Sequence, residues 1–213
     1  MVDDEKKIIL DVQNLGVRFL IKRQSTLRKK TFLYAVDDVS FQIKSGETLA
    51  IVGESGSGKT TTALAVARLL DVFSGKVLLN NKDLLGIKKE ELRRARTKVQ
   101  FIFQDPYSSL NPRLRAEQIV REPLDSLTSY DKEKKQTIVD NLFTSVGLRQ
   151  EQKNLFPHQF SGGQRQRIGV ARALSTQPEL IICDEPVSAL DVAVQAQILN
   201  LLRNLSIAKS PPP

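Results

Sequence analysis

A lysine and two threonines follow a glycine-rich run in the sequence GESGSGKTT, residues 53–61. The spacing G-x-x-x-x-G-K-[ST] is typical of a loop that binds phosphate, because glycines let successive N–H groups point inward and the following helix adds its dipole. In this pattern Lys59 reaches the β- and γ-phosphates of a nucleoside triphosphate, and the Thr60 hydroxyl binds Mg²⁺. The residues that we expect to contact the nucleotide are Gly53, Glu54, Ser55, Gly56, Ser57, Gly58, Lys59, Thr60 and Thr61.

Two carboxylates directly follow LIIC, residues 180–183, which is the most apolar strand candidate. Ligands bind at the carboxyl ends of the strands in a parallel sheet, so both acids would lie near the phosphates. Neighbouring strand residues point to opposite faces, and we therefore assign Asp184 to the Mg²⁺ shell and Glu185 to the attacking water. Paired acids also occur as solvated loop residues, but the phosphate-binding loop upstream favours the metal-site interpretation.

A second helix start that could bind an anion lies in FSGGQRQRIGVARAL, residues 160–174. Ser161 is predicted to cap a helix, because apolar residues follow at helical spacing. The N–H groups of Gly162, Gly163 and Gln164 would then face an anion, with the positive end of the helix dipole behind them. We call residues 161–164 the signature segment.

The elements that position these groups follow from the apolar pattern. Short apolar runs alternate with longer helix-like stretches, which predicts an α/β fold with a parallel sheet. The first 45 residues alternate like strands of an antiparallel flank, and residues 105–158 resemble a small helical lobe with Gly147 at a helix C-cap. Predicted strands cover 47–53, 75–80, 98–103 and 178–185, and predicted helices cover 58–70, 88–96, 115–122, 131–146 and 191–204.

Composition narrows the class of protein. The 213 residues carry a formal net charge of +8, which favours anionic partners such as nucleotides, nucleic acid or an anionic membrane surface. The basic clusters at 21–30 and 88–98 are predicted to be a solvated loop and a solvated helix face. The single cysteine, Cys183, cannot form an intramolecular disulfide, fits a reducing compartment and is predicted to be a small buried residue.

The sequence also lacks the apolar length that a membrane span needs. No stretch approaches roughly 18 consecutive apolar residues, so we expect no transmembrane helix. The N-terminus, MVDDEKKIIL, is acidic where a secretory signal would be basic, so we expect no export.

Four motifs, in this order and spacing, resemble the ATPase subunits of ATP-binding cassette (ABC) transporters: GESGSGKT, FSGGQRQR, LIICDEP and SALD. Gln104 in FIFQDP falls at the Q-loop of that family, and FQDPYSSLNPR resembles the branch of dipeptide, oligopeptide and nickel importers. The resemblance covers about residues 8–205, and SGGQ is its most discriminating part, since many unrelated NTPases share the phosphate-binding loop. It implies a P-loop NTPase core with a mainly parallel sheet, an antiparallel β flank at the N-terminus and an inserted α-helical subdomain.

The resemblance also implies a composite site. In the family, two cassettes pair head to tail, so the signature segment would contact the γ-phosphate held by the other subunit. Asp191 of SALD would lie at the dimer seam, and Gln104 would bind Mg²⁺ while sensing the membrane subunit. An aromatic residue of the N-terminal flank would stack on adenine. Tyr34 is our candidate, with Phe19 or Phe32 as alternatives and ordinary packing as the competing role.

Domain organisation and partners follow from the same resemblance. It implies a single ATPase domain over 1–213 that is incomplete at the C-terminus. Residues 1–104 would form the β flank and P-loop core, 105–158 the helical subdomain, and 159–213 the signature helix, Walker B strand and D-loop. The partners would be a second ATPase subunit, identical or related, and transmembrane permease subunits, with a substrate-binding protein acting indirectly. The chain would be peripheral at the cytoplasmic face of the cell membrane.

The chain departs from the family pattern in its last part. The family places a histidine about a strand's length beyond SALD, whereas the one histidine here is His158, which we predict to make a local contact in the helical lobe. The sequence ends in SIAKSPPP, and a triple proline neither continues a helix nor forms a central strand. We therefore expect the chain to lack at least one central strand relative to the family, and hydrolysis to be impaired.

Three function classes remain at this stage. The leading hypothesis is an ATP-binding subunit that binds and hydrolyses ATP to drive peptide-type import through permeases. One alternative is an ATP-binding fragment with impaired hydrolysis. Another is a soluble ABC protein that acts on nucleic acid, which the charge of +8 favours. A second cassette, a long coiled-coil insertion and zinc-ligand cysteines are all missing from the sequence, so we do not expect nucleic acid to be the main partner.

Overall fold

A computed structural model describes residues 7–22, 31–105, 107–188, 190 and 192–208. Asp191, predicted to lie at a dimer seam, falls outside these residues, as does most of the basic cluster at 21–30. The chain divides into two compact units, residues 1–89 and residues 90–213.

The first unit contains a four-stranded antiparallel sheet with the order β2-β1-β3-β4. Its strands are β1 (Ile8–Lys22), β2 (Thr31–Lys44), β3 (Ser74–Leu79) and the two-residue β4 (Lys82–Asp83). The predicted antiparallel flank is therefore present, and β3 lies within one residue of its predicted bounds.

Helix α1 (Lys59–Val66) packs against β1 and β2. Alternate residues of β1, among them Leu10 and Val12, are buried together with Ala65 of the helix, as expected for a sheet with one face on a core. The helix ends four residues before the predicted bound at 70. Arg68 has a φ of +52° and donates from Nη1 to the carbonyl oxygens of Leu84 and Ile87, so the chain leaves the helix there.

The apolar run at 47–53, predicted to be a buried strand, is not a strand in the structure. Leu49 and Ile51 are exposed, and Val52 is 90% exposed. An apolar run indicates that a segment is able to enter a sheet, but a strand also needs a neighbour to complete its hydrogen-bond ladder. Among the described strands of the first unit, none pairs with this run.

The second unit contains a two-stranded parallel sheet of β5 (Val99–Ile102) and β6 (Leu180–Cys183). The register pairs Ile102 with Cys183, and the Asp184 N–H continues the ladder by donating to the Ile102 carbonyl at 3.0 Å. The parallel sheet is smaller than predicted in the part of the chain that the structure describes. Cys183 is the last residue of β6 and is exposed, so the prediction that it is buried is wrong. Among the described strands β6 has a neighbour on one side only, so its other edge is left open.

The helices of the second unit are α2 (Lys89–Lys98), α3 (Ala116–Leu127), α4 (Lys132–Ser145), α5 (Gly162–Leu174) and α6 (Val192–Ala208), with short 3₁₀ helices at Gln150–Asn154 and Pro157–Gln159. Three helices of the second unit, α3, α4 and α5, share one apolar core. Ile119, Phe143 and Ile168 have no exposed surface and come from three different helices.

Most helix predictions are confirmed. No residue of α2 is buried, as expected for a solvated face, and Gly147 has the left-handed φ of +72° that a helix C-cap favours. Helix α3 is longer than predicted: it continues through Pro123, and the fully buried Leu124 keeps the following turn on the core. Across the part of the chain with described structure, no helix has the length and apolarity needed to cross a bilayer.

Candidate functional site

The predicted phosphate-binding loop is closed by its own lysine. Lys59 Nζ donates to the carbonyl oxygens of Gly53 at 2.9 Å and Glu54 at 2.8 Å. Ser57 N–H donates to the Glu54 carbonyl at 3.2 Å, which tightens the turn between them. The ammonium group is thus held against the backbone of the loop by two hydrogen bonds. Residues 53–57 and 60 are exposed, and residues 58, 59 and 61 are half-buried.

Two glycines of the loop adopt a backbone conformation that other residues rarely adopt. Gly56 has a φ of +81° and Gly58 a φ of +92°. A Cβ on Gly58 would also lie 2.4 Å from the carbonyl oxygen of Ala35 in β2, whereas a Cβ on Gly56 would meet no atom within 4 Å. The loop therefore needs Gly58 for both conformation and space, and Gly56 for conformation alone.

The start of α1 presents backbone donors. Its N-cap is Gly58, which has no side chain to cap the helix, and the first bond of the helical type runs from Thr62 N–H to the Gly58 carbonyl at 2.8 Å. Thr62 Oγ1 donates to the same carbonyl at 2.9 Å. The N–H groups in the first turn of a helix point away from its body and lie at the positive end of the helix dipole. This arrangement is suited to a phosphate.

Three aromatic residues of β1 and β2 were candidates for adenine stacking. Tyr34 is 53% exposed, and its hydroxyl accepts a long hydrogen bond of 3.5 Å from Arg18 Nη1. Phe19 is 42% exposed, whereas Phe32 is half-buried under the Arg18 guanidinium, 4.1 Å from the ring centroid. Exposure therefore favours Tyr34 and Phe19 over Phe32 as stacking surfaces.

In the second unit, two residues predicted on separate grounds lie in contact. Gln104 Nε2 donates to Glu185 Oε2 at 2.6 Å. Glu185 has a φ of +43°, and its carbonyl accepts from both the N–H and the hydroxyl of Ser188. Such strained backbone occurs often at functional sites, and here it belongs to the residue assigned to the attacking water. Asp184 is half-buried at the end of β6.

The signature segment forms the helix start that the sequence predicts. Ser161 Oγ accepts from Gln164 N–H at 3.3 Å, and Gln164 Oε1 accepts from Ser161 N–H at 3.0 Å. These reciprocal bonds are a capping box. Since the Gln164 N–H serves the cap, Gly162 and Gly163 supply the N–H groups at the very start of α5.

The two glycines of the signature segment lie close to side chains that the sequence analysis did not predict as neighbours. A Cβ on Gly163 would lie 2.5 Å from Val194 Cγ1 of α6. A Cβ on Gly162 would lie 3.7 Å from both Leu190 Cδ2 and the Tyr107 hydroxyl. No local signal in the sequence gives these contacts, because they join residues that are far apart along the chain.

Two arginines of α5 attach it to the segment that follows Gln104. The Arg165 guanidinium lies 4.0 Å from the Tyr107 ring centroid, and Arg172 Nη1 donates to the Ser109 carbonyl at 2.7 Å. Burial lowers the pKa of Arg172 from its usual value, and the charge of Glu122 opposes this shift. The run QRQR contains Arg165, but sequence alone does not show which side chains turn inward.

His158 makes the local contact that was predicted for it. It lies in the second 3₁₀ helix, and its ring stacks on that of Phe156 with centroids 5.9 Å apart.

Comparison with known proteins identifies the family. A model of the ABC transporter family matches residues 36–188. The chain belongs to the ABC transporter family. Among solved structures similar to this family member is the dimeric post-hydrolysis state of the ATP-binding cassette MJ0796 bound to ADP and Pi, with a TM-score of 0.81 and 30% identity. The alignment covers 93% of this chain and 83% of that one, so the predicted P-loop NTPase fold class is confirmed.

Curated relatives of this ABC family member include transport proteins of bacteria. The probable peptide ABC transporter ATP-binding protein y4tS of Sinorhizobium fredii is 48% identical over 92% of this chain and 56% of the relative. The oligopeptide transport ATP-binding protein OppF of Salmonella typhimurium is 48% identical over 96% of this chain and 62% of the relative. The chain thus spans less than two thirds of the length of these relatives.

Proposed function

We propose that the chain is the ATP-binding subunit of an ABC transporter, which binds and hydrolyses ATP to drive import of dipeptides or oligopeptides. The observation that carries the proposal is the loop at 53–60, closed by Lys59 over the start of α1. The names of the curated relatives, which specify peptide and oligopeptide transport, support the cargo class.

The chain's own groups are suited to hold ATP. Lys59 and the N–H groups at the start of α1 bind the β- and γ-phosphates, with residues 53–61 as the contact surface. Tyr34 stacks on adenine, with Phe19 as the alternative of comparable exposure. In a dimer, the signature segment of the other subunit, with Ser161, Gly162, Gly163 and Gln164, completes the γ-phosphate site.

Mg²⁺ is the metal that we assign to ATP. The proposed ligands are the Thr60 hydroxyl, the Gln104 amide oxygen and the Asp184 carboxylate, which are hard oxygen ligands of the kind that Mg²⁺ prefers. Because Gln104 gives its Nε2 to Glu185, its Oε1 is the end that serves as a ligand. When bound, the metal neutralises charge on the β- and γ-phosphates.

Glu185 is the proposed general base. Its carboxylate accepts a hydrogen bond from Gln104, which fixes its orientation, and it then polarises a water for attack on the γ-phosphate. Gln104, Glu185 and Lys59 are thus the proposed catalytic groups. Each acts on the water, the metal or the phosphates.

The proposed partners follow the same assignment. ATP joins two cassettes, identical or related. The solved structure of the similar cassette MJ0796, which is dimeric, supports this pairing. The dimer acts on permease subunits at the cytoplasmic face of the membrane, where the chain is peripheral, and a substrate-binding protein delivers the cargo. We propose one ATPase domain with a helical subdomain at 105–158.

ATP binding and phosphate release test the proposal. Lys59→Ala is expected to weaken ATP binding at least about tenfold, because it removes a charge-assisted contact worth about 1.5–3 kcal/mol. Lys76→Ala, an exposed lysine of β3, is the matched control. Glu185→Gln is expected to keep ATP binding and abolish phosphate release. Equal ATP binding by wild type and Lys59→Ala would contradict the proposed ATP site. Equal phosphate release by wild type and Glu185→Gln would contradict the proposal that the chain hydrolyses ATP with Glu185 as the general base.

A further inference from the structure

The guanidinium of Arg18 in β1 lies against two aromatic rings. Its carbon is 3.4 Å from the centroid of the Phe73 ring and 4.1 Å from that of the Phe32 ring. Its Nη1 also donates to the Tyr34 hydroxyl at 3.5 Å. A guanidinium is planar and weakly hydrated and stacks well on aromatic faces, so these contacts hold Arg18 in place. We call Arg18, Phe32, Tyr34 and Phe73 the Arg18 cluster.

The sheet of the first unit brings the Arg18 cluster together. Arg18 and Tyr34 are opposite each other in the ladder between β1 and β2, so their side chains share a face of the sheet. Phe32 precedes Tyr34 on β2 by one side-chain period of a strand and lies on the same face. Phe73 directly precedes β3, and its N–H donates to the Gly16 carbonyl of β1 at 2.8 Å. Thus β1, β2 and the start of β3 all contribute to the cluster.

The Tyr34 ring is restrained at two points. Arg18 contacts its hydroxyl, and the Phe73 ring packs against it with centroids 6.2 Å apart and an angle of 82° between the planes. Tyr34 is nevertheless exposed, so a flat ligand has access to it. Phe19, the other candidate for stacking, makes no such ring contact with another described residue. A ring that is already ordered loses less side-chain entropy when a ligand stacks on it, which favours Tyr34.

Tyr34 also lies beside the phosphate-binding loop. Ala35 directly follows it, and the Ala35 carbonyl oxygen lies 2.4 Å from the position of a Cβ on Gly58. Phe19 is opposite Leu33 in the ladder, one residue further from this contact. Along the strand pair, Tyr34 is therefore closer than Phe19 to the loop that holds the phosphates in the proposed function.

We propose that Arg18 is a positioning residue for the binding of the adenine ring. Together with Phe73 it holds the Tyr34 side chain in the orientation in which the ring stacks on the base. Arg18 does not contact the base, and its effect passes through Tyr34. This inference rests on the proposed function and deepens it, because it selects Tyr34 over Phe19 as the stacking residue and names the side chain that orders it.

Two ligands separate an effect on the base from an effect on the phosphates. ATP and inorganic triphosphate are both expected to bind to the loop at 53–61, but only ATP carries a base. The ratio of their dissociation constants therefore reports the contribution of the nucleoside. Loss of the Arg18 charge weakens both polyanions and cancels in this ratio. Isothermal titration calorimetry of the full chain in the presence of Mg²⁺ measures both constants.

Variants of the Arg18 cluster test the proposal. Tyr34→Ala is expected to lower the preference for ATP over triphosphate by about fivefold or more, as loss of a base-stacking ring does. Arg18→Met is expected to lower it by about two- to fivefold, the range of an exposed cation–π contact, and the double variant to lose no more than Tyr34→Ala. Phe73→Leu removes the other restraint without a change of charge and is expected to resemble Arg18→Met. Arg94→Met, at an exposed arginine of α2, is the matched control and is expected to leave the preference unchanged.

Triphosphate binding also shows that each variant is folded and that its phosphate-binding loop is intact. An unchanged preference in both Arg18→Met and Phe73→Leu would overturn the inference, as would additive effects of Arg18→Met and Tyr34→Ala. A larger loss in Phe19→Ala than in Tyr34→Ala would also overturn it. If the wild type binds neither ligand, the proposed function fails and the inference fails with it. If wild type and Tyr34→Ala bind both ligands with the same ratio, the phosphate site stands and the inference alone fails.

Discussion

Gln104 and Glu185 are joined by a hydrogen bond of 2.6 Å, although 81 residues separate them along the chain. The parallel register explains the contact. Ile102 pairs with Cys183 at the ends of β5 and β6, and each of the two bonded residues lies two positions beyond its strand end. Because parallel strands end at the same edge, the amide and the carboxylate meet there. A hydrogen bond to an ionised group is among the strong ones, so this contact is expected to matter for hydrolysis.

Removing the Gln104 amide is expected to slow phosphate release. A hydrogen bond to a charged group is worth about 1.5–3 kcal/mol, so Gln104→Ala should lower the rate by about tenfold or more. It should also raise the Mg²⁺ concentration needed for half-maximal rate, because a proposed ligand is lost. Phosphate release as a function of Mg²⁺ measures both effects.

Gln100→Ala is the matched control for this change. Gln100 is another glutamine of the β5 region, and its Nε2 donates to the Arg96 carbonyl at 2.6 Å instead of to a carboxylate. A similar loss of rate in both variants would mean that disturbance of β5, and not the bond to Glu185, is responsible.

The two left-handed glycines of the phosphate-binding loop are expected to differ in their tolerance of alanine. Gly56→Ala should cost about 1–2 kcal/mol of unfolding free energy, because only the φ of +81° is unfavourable there. Gly58→Ala should cost more, because its Cβ would lie 2.4 Å from the Ala35 carbonyl oxygen in addition to a φ of +92°. Urea unfolding compares the two.

Gly169→Ala provides a control of opposite sign. Gly169 lies inside α5 and a Cβ there would meet no atom within 4 Å, so alanine should stabilise the chain by up to about 1 kcal/mol. Equal destabilisation by Gly56→Ala and Gly58→Ala would show that the close contact of the new Cβ with the Ala35 carbonyl oxygen adds no cost.

Features fixed by a few neighbouring residues were predictable from the sequence. The loop at 53–60, the cap at Ser161 and the end of α4 at Gly147 depend on local geometry, and the structure contains all three. The prediction of a strand at 47–53 was wrong, because the hydrogen bonds of a strand depend on a partner strand that is distant in the sequence. The contact of Tyr107 with Arg165 was missed for the same reason, since nothing in the local pattern specifies it.

Gly163 is expected to be required for the packing of α6 on α5. Its Cβ would lie 2.5 Å from Val194 Cγ1, and overpacking of this kind costs about 1–3 kcal/mol. Gly163→Ala should therefore destabilise the chain in urea unfolding, and Val194→Ala in the same chain should restore much of the loss. Gly162→Ala is the control, since its Cβ would make ordinary contacts at 3.7 Å. Failure of Val194→Ala to rescue would contradict the packing explanation.

Cys183 is expected to react slowly although part of its surface is exposed. Desolvation raises the pKa of its thiol to about 11 from the ordinary 9.0, and only the thiolate is nucleophilic. At pH 8 the thiolate fraction falls about a hundredfold, so alkylation of the native chain should be slower than that of the urea-unfolded chain by a similar factor. The native rate should rise about tenfold per pH unit from 7 to 9.5. Iodoacetamide labelling measured by mass reports this residue alone, because the chain has one cysteine. A native rate that levels off near pH 9 would show that the surroundings do not perturb the thiol.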